Sequence, residues 1–360
     1  MRIVVNDIAA SKTGALSVLR DFHAFLADNE KEHEWIFLLS SDYVEETDNI
    51  KVLIYDDVKK SRIERLKFDY LYGRKRIEEL SPDVYFSLQN TLIRGLKCRK
   101  VVYVHQPLGF QNEKVFSFLK KEEREYAIYQ HLISKLTYSS IKNADLTIVQ
   151  TEWMLKEVIK KTGISREKIV NILPDTGRIE AVNKESKTDS RDFFYPAGDI
   201  LYKNHRIINE AVSLLRDRGI DDFRVFLTIT RDEFIKRCDL EPVENIKCLG
   251  RIDRERVIDN YGKMILLFPS YIETFGYPLA EGRQIGTTIL SSDCAFSREI
   301  LKGYDKVYYF DPFDKTALAD LMEKCIRGNI PVNAASAFVH STENDESSWS
   351  RVVKELTDWK

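Results

Sequence analysis

Short apolar runs rich in β-branched and aromatic residues recur along the chain, and longer stretches with apolar residues at helical spacing separate most of them. Parallel strands need a crossover connection that is usually a helix, so this alternation predicts an α/β fold with parallel sheets. The predicted strands of the first half are Ile3–Val5, Trp35–Leu39, Lys51–Ile54, Val84–Phe86, Val101–Val104 and Leu146–Val149. Those of the second half are Phe193–Pro196, Val225–Thr228, Ile246–Leu249, Met264–Phe268, Thr288–Leu290 and Val307–Phe310. Because the rhythm occurs twice, we expect two such domains.

A polar segment separates the two series of strands. Residues 180–192 (EAVNKESKTDSRD) are nearly free of large apolar side chains, which is typical of a linker. We therefore expect an N-terminal domain over residues 1–180 and a C-terminal domain over residues 181–344. Residues 345–360 (DESSWSRVVKELTDWK) open with acidic and Ser residues and continue with apolar residues at helical spacing. They predict a terminal amphipathic helix that needs a partner surface.

Composition and charge exclude several classes of protein. The 55 Lys and Arg residues nearly balance the 57 Asp and Glu residues, so the net charge of −2 gives no general attraction to nucleic acid. The five cysteines are scattered without a CxxC pair, which argues against a disulfide framework or a zinc site. The apolar run after Arg2 ends after three residues, and no later run approaches the length of about 18 residues needed to span a membrane. We expect a cytoplasmic protein.

The most informative stretch is Phe268–Glu281 (FPSYIETFGYPLAE). It predicts a buried strand, a loop that carries Glu273, and a helix with Pro278 in its first turn. The free backbone N–H groups at such a helix start bind anions, and Gly276 lets a ligand approach the backbone closely. Two carboxylates cannot both favour a phosphate, so we expect Glu273 and Glu281, the latter in the first helical turn, to bind hydroxyl groups that flank it. Taken singly, these residues are also compatible with an ordinary turn glycine, a solvated loop acid and a favourable first-turn acid.

The spacing Glu273-x7-Glu281 within PSYIETFGYPLAE resembles the signature of the retaining glycosyltransferases of family 4, in their bacterial surface-polysaccharide type. The resemblance implies the GT-B fold, in which two Rossmann-like domains with parallel sheets face each other across a cleft and the C-terminal helix crosses back to the first domain. It implies that a nucleotide-diphosphate sugar binds to the C-terminal domain and that the acceptor approaches from the N-terminal domain. It implies no cofactor and no catalytic metal.

The resemblance also implies roles for individual residues. Catalytic roles fall on His105, Lys203 and Glu273, with His105 at the donor sugar and Lys203 at the diphosphate. The residues implied to bind the donor substrate are Gly14, Gly198, Asp199, Gly250, Arg251, Thr274, Phe275, Gly276, Tyr277 and Glu281. Asp199 departs from the pattern, because the family usually has a basic residue directly after the glycine at 198. That departure removes one expected phosphate contact.

The function implied is transfer of a hexose-type sugar, with UDP-sugars the favoured donors, to a glycan or lipid-linked saccharide in cell-surface polysaccharide synthesis. Two alternatives stay open. One is a nucleotide-sugar epimerase or hydrolase on the same fold, and the other is a non-catalytic partner subunit, which the departure from the family pattern at Asp199 suggests. The loop Lys12–Ala15 holds a single glycine, Gly14, instead of a GxGxxG fingerprint, and this argues against a nicotinamide-dependent oxidoreductase.

Residues 59–100 form a locally basic segment, with 12 Lys and Arg against 5 Asp and Glu and with aromatic and aliphatic residues between them. Such a segment is compatible with a solvated helix face or with contact to an anionic membrane. Family members that elongate lipid-linked sugars carry basic, aromatic surfaces on this domain, so the resemblance implies peripheral contact with the inner face of the cell membrane.

Overall fold

The computed structural model describes residues 1–10, 13–177, 179, 190–330 and 346–359. Its first sheet contains seven strands: β1 (Arg2–Asn6), β2 (Glu34–Leu39), β3 (Ile50–Ile54), β4 (Val84–Ser87), β5 (Arg99–Val104), β6 (Leu146–Val149) and β7 (Ile169–Asn171). Its second sheet contains six: β8 (Phe193–Tyr195), β9 (Val225–Leu227), β10 (Ile246–Cys248), β11 (Ile265–Phe268), β12 (Ile289–Ser292) and β13 (Val307–Phe310). The predicted α/β class with two parallel sheets is confirmed.

Helices connect most of the strands. In chain order they are α1 (Thr13–Asn29), α2 (Asp56–Lys59), α3 (Arg62–Lys67), α4 (Gly73–Glu78), α5 (Arg124–Ile128), α6 (Ser134–Asn143), α7 (Glu152–Thr162), α8 (His205–Asp217), α9 (Arg231–Cys238), α10 (Arg254–Lys263), α11 (Tyr277–Ile285), α12 (Ala295–Ile300), α13 (Lys315–Ile326) and α14 (Ser348–Thr357). Two π-helical turns (Phe68–Tyr72 and Tyr129–Ile133) and two 3₁₀ turns (Arg166–Lys168 and Leu201–Lys203) complete the described elements. Among the described residues, no helix is both long and apolar enough to cross a bilayer.

Both sheets are parallel throughout and have the doubly wound strand order. The order is β3-β2-β1-β4-β5-β6-β7 in the first sheet and β10-β9-β8-β11-β12-β13 in the second. The chain therefore changes direction of winding between β1 and β4 and again between β8 and β11. In open α/β sheets, ligands bind in the crevice beyond the carboxyl ends of the strands at such a switch point. This topology directs attention to the loops after β1, β4, β8 and β11.

Most strands are buried on both faces, whereas the edge strands β3 and β10 are partly exposed. In β1, Ile3 and Val5 pack into the apolar cluster on one face of the sheet, and Val4 packs into the cluster on the other. Successive side chains of a strand point to opposite faces, so a strand covered by helices on both sides needs a continuous apolar run. That is why the strands of this chain stand out as uninterrupted apolar segments.

The last described helix, α14, packs on the first sheet. Val352 and Leu356 are buried in the same apolar cluster as Ile3, and the Trp349 ring lies 4.7 Å from the Phe22 ring. The Arg99 guanidinium donates to the backbone oxygen of Glu355 at 3.0 Å. The chain end thus returns to the N-terminal half. Most of the predicted linker, residues 180–189, and the start of the predicted terminal segment, residue 345, lie outside the described residues.

Candidate functional site

The loops that follow β5 and β11 meet across the cleft between the two halves. The Thr274 hydroxyl donates a hydrogen bond of 2.8 Å to the backbone oxygen of His105. His105 ends the β5 apolar run, and Thr274 lies in the loop between β11 and α11. The structure therefore brings two predicted site segments, 169 residues apart in sequence, into direct contact.

Lys203 and Glu273 form an ion pair through Nζ and Oε1, and their side chains are only 18% and 14% exposed. Lys203 ends the 3₁₀ turn after β8, and its backbone oxygen accepts a bond of 2.8 Å from the Tyr195 hydroxyl. Asn204, in the left-handed conformation at φ 62°, then starts helix α8. A buried β8 tyrosine thus anchors the lysine, and β11 delivers the glutamate, so the pair occupies the switch point of the second sheet.

His105 presents an unpartnered ring nitrogen. Its Nδ1 is buried and has no hydrogen-bond partner among the described residues. Burial lowers the pKa of the imidazole to about 4, so the ring is neutral at pH 7. Asn90 holds the backbone here, because its side-chain oxygen accepts from the N–H groups of His105 and Gln106 at 2.8 and 3.0 Å. A fixed, neutral imidazole suits a hydrogen bond to a hydroxyl group.

Glu281 is buried and already satisfied by protein groups. The Tyr261 hydroxyl donates to its Oε2 at 3.0 Å, and the Arg254 guanidinium lies 2.8 Å from its Oε1. The prediction that Glu281 lies in the first helical turn is wrong, because α11 begins at Tyr277 and places Glu281 in the second turn, where the side chain points into the domain and is 3% exposed. The Arg254 side chain is 67% exposed and is the partner that a ligand displaces most easily.

The start of α11 has the expected form. Gly276 precedes the helix at φ 94°, a conformation that other residues rarely adopt, and Pro278 lies in the first turn. No side chain caps this helix start. Phe275 is buried and Tyr277 is 41% exposed, with their rings 5.1 Å apart. An uncapped helix start at the end of β11 offers backbone N–H groups to an anion.

The turn after β8 differs from the family pattern in an informative way. Gly198 is exposed, and a Cβ atom built on it meets nothing within 4 Å, so the fold itself does not demand glycine there. The Asp199 carboxylate lies 3.6 Å from the Arg237 guanidinium of α9. Arg237 also has a buried Nε without a partner among the described residues. A cation from another helix therefore lies beside the position after Gly198, which sequence reasoning did not find.

The remaining predicted donor residues are more dispersed. Gly250 follows β10 at φ 70°, with the Thr230 methyl group 3.5 Å from a Cβ built on it, and Arg251 beside it is exposed. The prediction that Gly14 lies in a loop is wrong, because α1 begins at Thr13 and places Gly14, exposed, in its first turn. The structure thus groups His105, Lys203 and the Glu273–Glu281 motif closely, and places Gly14, Gly250 and Arg251 after other strands.

A cavity of about 520 Å³ opens beside Glu273 between the two halves. Trp153 and Glu299 also line it, and neither was predicted as a site residue. No motif marks them, because they meet only when α7 of one half lies against α12 of the other. Among the described residues, no cluster of three His, Cys, Asp or Glu side chains is arranged to hold a metal ion.

Comparisons with known proteins agree with this architecture. Residues 178–342 match the sequence model of the family described as glycosyl transferases group 1. No curated protein matches the chain in a sequence search. Among solved structures, WaaG, a glycosyltransferase involved in lipopolysaccharide biosynthesis, is similar at 13% identity and a TM-score of 0.64, over 99% of this chain and 100% of that one.

Two further solved structures have the same fold. Sucrose-phosphate synthase from Thermosynechococcus elongatus is similar at 12% identity and a TM-score of 0.65, over 99% of this chain and 95% of that one. HepE from Anabaena, in complex with UDP-glucose, is similar at 12% identity and a TM-score of 0.59, with the same coverage. The fold is GT-B, and the family match over residues 178–342 identifies the enzyme class as glycosyltransferase. Both predictions are confirmed.

Proposed function

We propose that this protein transfers a hexose-type sugar from a UDP-sugar to a glycan or lipid-linked saccharide in cell-surface polysaccharide synthesis, with retention of anomeric configuration. The observation that carries the proposal is the Lys203–Glu273 pair at the β8/β11 switch point, held against His105 of the other half through Thr274. HepE was solved with UDP-glucose, and WaaG acts in lipopolysaccharide biosynthesis. These neighbours support the donor and the setting.

In this proposal Lys203 exchanges partners when the donor binds. The diphosphate takes the place of Glu273 at the ammonium group, and the freed Glu273 carboxylate binds sugar hydroxyls. Negative charge grows on the diphosphate as the bond to the anomeric carbon breaks. Lys203 and the uncapped N–H groups at the start of α11 stabilise that charge, and preorganised groups of this kind supply the largest share of many rate enhancements.

Two further groups orient the substrates. One of the two ring nitrogens of His105, Nδ1 or Nε2, binds a hydroxyl group of the donor sugar or of the incoming acceptor. Glu281 binds the ribose hydroxyls after Arg254 moves aside, while Tyr261 keeps the carboxylate in place. The acceptor oxygen attacks the face of the anomeric carbon that the phosphate leaves, and its proton passes to the departing phosphate oxygen. We propose that the other donor-binding residues implied by the resemblance also contact the UDP-sugar. They are Gly14, Gly198, Asp199, Gly250, Arg251, Thr274, Phe275, Gly276 and Tyr277.

We also propose that the N-terminal half contacts anionic lipids at the inner face of the cell membrane. Ile63 and Leu71, on α3 and the π-helical turn after it, are 64% and 76% exposed. Exposed Lys60 and Lys67 flank them. Basic residues beside exposed apolar side chains are the pattern of interfacial membrane contact.

The test is turnover of UDP-glucose, UDP-galactose and UDP-N-acetylglucosamine, followed by NMR of the anomeric proton of the product with a lipid-linked saccharide as acceptor. We expect UDP release that depends on the acceptor and a product with the donor's anomeric configuration. Donor turnover at the same rate without acceptor would instead indicate an epimerase or hydrolase. Binding of UDP-sugar without turnover would indicate a partner subunit.

A further inference from the structure

Helix α7 of the N-terminal half is capped by a side chain of the C-terminal half. The first N–H groups of a helix have no partner within the helix. Here the N–H of Glu152 donates to Glu299 Oε1 at 2.7 Å, and the N–H of Trp153 donates to Glu299 Oε2 at 2.8 Å. Thr151, at the position that normally supplies a cap, makes no such bond. Its place is taken by a carboxylate from α12.

The same end of α7 binds the loop that follows Glu273. The Thr151 hydroxyl and the Trp153 indole Nε1 both donate to the backbone oxygen of Thr274, at 3.1 and 2.8 Å. The Thr274 hydroxyl then donates to the backbone oxygen of His105. One short chain of hydrogen bonds therefore connects Glu299, the start of α7, the site loop and the end of β5.

The electrostatics favour this contact. A helix start carries a partial positive charge, and a carboxylate that accepts two backbone N–H bonds there is stabilised more than a neutral group would be. Among the described residues Glu299 forms no ion pair with a lysine or arginine, so its charge is directed at the helix.

We propose that Glu299 is a positioning residue that joins the two halves and holds Glu273 and His105 on opposite sides of one reaction space. Trp153, Glu273 and Glu299 all line the cavity of about 520 Å³ between the halves, so the contact lies beside the site. Loss of the carboxylate lets α7 move away from α12 and takes the Thr274 backbone with it. The kinetic part of this proposal rests on the proposed transferase function, whereas the structural part does not.

The direct test is amide hydrogen exchange of the whole chain, comparing wild type with Glu299→Gln. The amides of Glu152 and Trp153 are expected to exchange about tenfold faster in the variant, since both lose a charged acceptor. Glu152→Gln is the matched control, because it removes a carboxylate from the same helix start. The Glu152 side chain is 47% exposed and lies 3.9 Å from Lys156 of its own helix, and among the described residues it has no hydrogen bond or ion pair with the other half. Unchanged exchange in Glu299→Gln would overturn the proposal.

The second test is the split between kcat and KM. Misplacement of reacting groups by about 1 Å costs up to about 100-fold in rate, so we expect Glu299→Gln to lower kcat at least about tenfold with the KM for UDP-sugar within about twofold. Glu299→Asp, which keeps the charge but is one methylene shorter, should fall between. A normal kcat together with faster exchange would show that the contact does not position the site and would overturn the proposal. If the wild type does not turn over UDP-sugars, the proposed function fails, and the exchange measurement still decides whether Glu299 joins the halves.

Discussion

The carboxyl edges of the two sheets differ in how their carboxylates are satisfied. At the β8/β11 edge, Lys203 and Glu273 form an ion pair, and Glu281 has a partner on each oxygen. At the edge of the first sheet, the carboxylate oxygens Asp7 Oδ2 and Asp69 Oδ1 and the ring nitrogen His105 Nδ1 are buried without a hydrogen-bond partner among the described residues. Unpartnered nitrogens also occur at the second edge, in the His205 ring and at Arg237 Nε, but its two motif carboxylates are paired.

The titration of these groups separates the two edges further. Burial raises the pKa of Asp7 to about 7 and that of Asp69 to about 6, although the Arg65 charge opposes both shifts. Burial likewise makes His105 neutral at pH 7. The C-terminal edge therefore holds ion pairs that a diphosphate can exchange for its own charge. At the N-terminal edge His105 is neutral at pH 7, Asp7 is about half protonated, and Asp69 is mostly ionised beside the Arg65 cation. The following predictions test that division.

The largest effect is expected from Lys203→Ala. Removing a cation that stabilises leaving-group charge costs about 100- to 1000-fold in kcat. Because Lys203 also balances Glu273, the variant leaves a buried carboxylate unpaired and should melt at a lower temperature. The measurement is kcat for UDP release in the presence of acceptor, with Tm determined alongside.

Lys263→Ala is the control for this prediction. Lys263 also pairs with a carboxylate, Asp259, but within helix α10 and with the lysine side chain 65% exposed. Its loss should leave kcat unchanged. Near-normal transfer by Lys203→Ala would show that Lys203 does not stabilise the leaving group. It would contradict the proposed binding of the diphosphate at the C-terminal edge.

The second prediction concerns Asp7 and the pH dependence of stability. A carboxyl group whose pKa is higher in the folded state stabilises the fold at low pH, and that contribution is lost as the pH rises from about 4, where the unfolded chain ionises, to about 7. Asp7→Asn cannot ionise, so it should gain about 4 kcal/mol relative to wild type between pH 4 and pH 8. Urea unfolding at these pH values measures the difference, and the exposed Asp28→Asn serves as control. Parallel pH profiles for wild type and Asp7→Asn would show that Asp7 is ionised in the folded protein.

Much of this organisation follows from local sequence, and the part that does not has a physical reason. The apolar runs predict twelve of the strands, because most of them are buried on both faces and even the edge strands β3 and β10 keep an apolar run. Strand β7 was not predicted from the apolar runs, because it lies at the edge of the sheet and only Ile169 of its three residues is buried. The Glu273–Glu281 spacing was sufficient to locate the site loop, since strand, loop and helix are continuous there.

The partners of the site residues could not be predicted in the same way. Arg237 reaches Asp199 from a helix 38 positions later, and Tyr261 reaches Glu281 from the helix before it. Glu299 meets α7 across 147 residues. In the sequence, a glutamate or arginine that makes such a contact looks the same as a solvated surface charge. The contact depends on how distant segments of the chain pack together.

The third prediction uses His105, the N-terminal group closest to the reaction. Replacing it with Gln, which keeps a hydrogen-bonding group but not the ring, should lower kcat/KM about tenfold, the value of one hydrogen bond of about 1.4 kcal/mol. Since the imidazole pKa is about 4, wild-type kcat/KM should show no step from His105 between pH 5.5 and 8. A step near pH 6.5 that disappears in His105→Gln would show that the ring is charged in the free enzyme.

The smallest effect, and the sharpest test of the charged edge, comes from two glycines. Gly276→Ala forces a side chain into a backbone at φ 94° and should cost about 1–2 kcal/mol of stability. At Gly198 a Cβ atom meets nothing, so Gly198→Ala should leave stability within about 0.5 kcal/mol. If the diphosphate lies against this turn, the added methyl group will nevertheless raise the KM for UDP-sugar, because the backbone is then too distant to contact a phosphate oxygen. Unchanged stability with a raised KM would identify Gly198 as a ligand contact. An unchanged KM would show that this turn does not contact the diphosphate, which Lys203 and the start of α11 then bind alone.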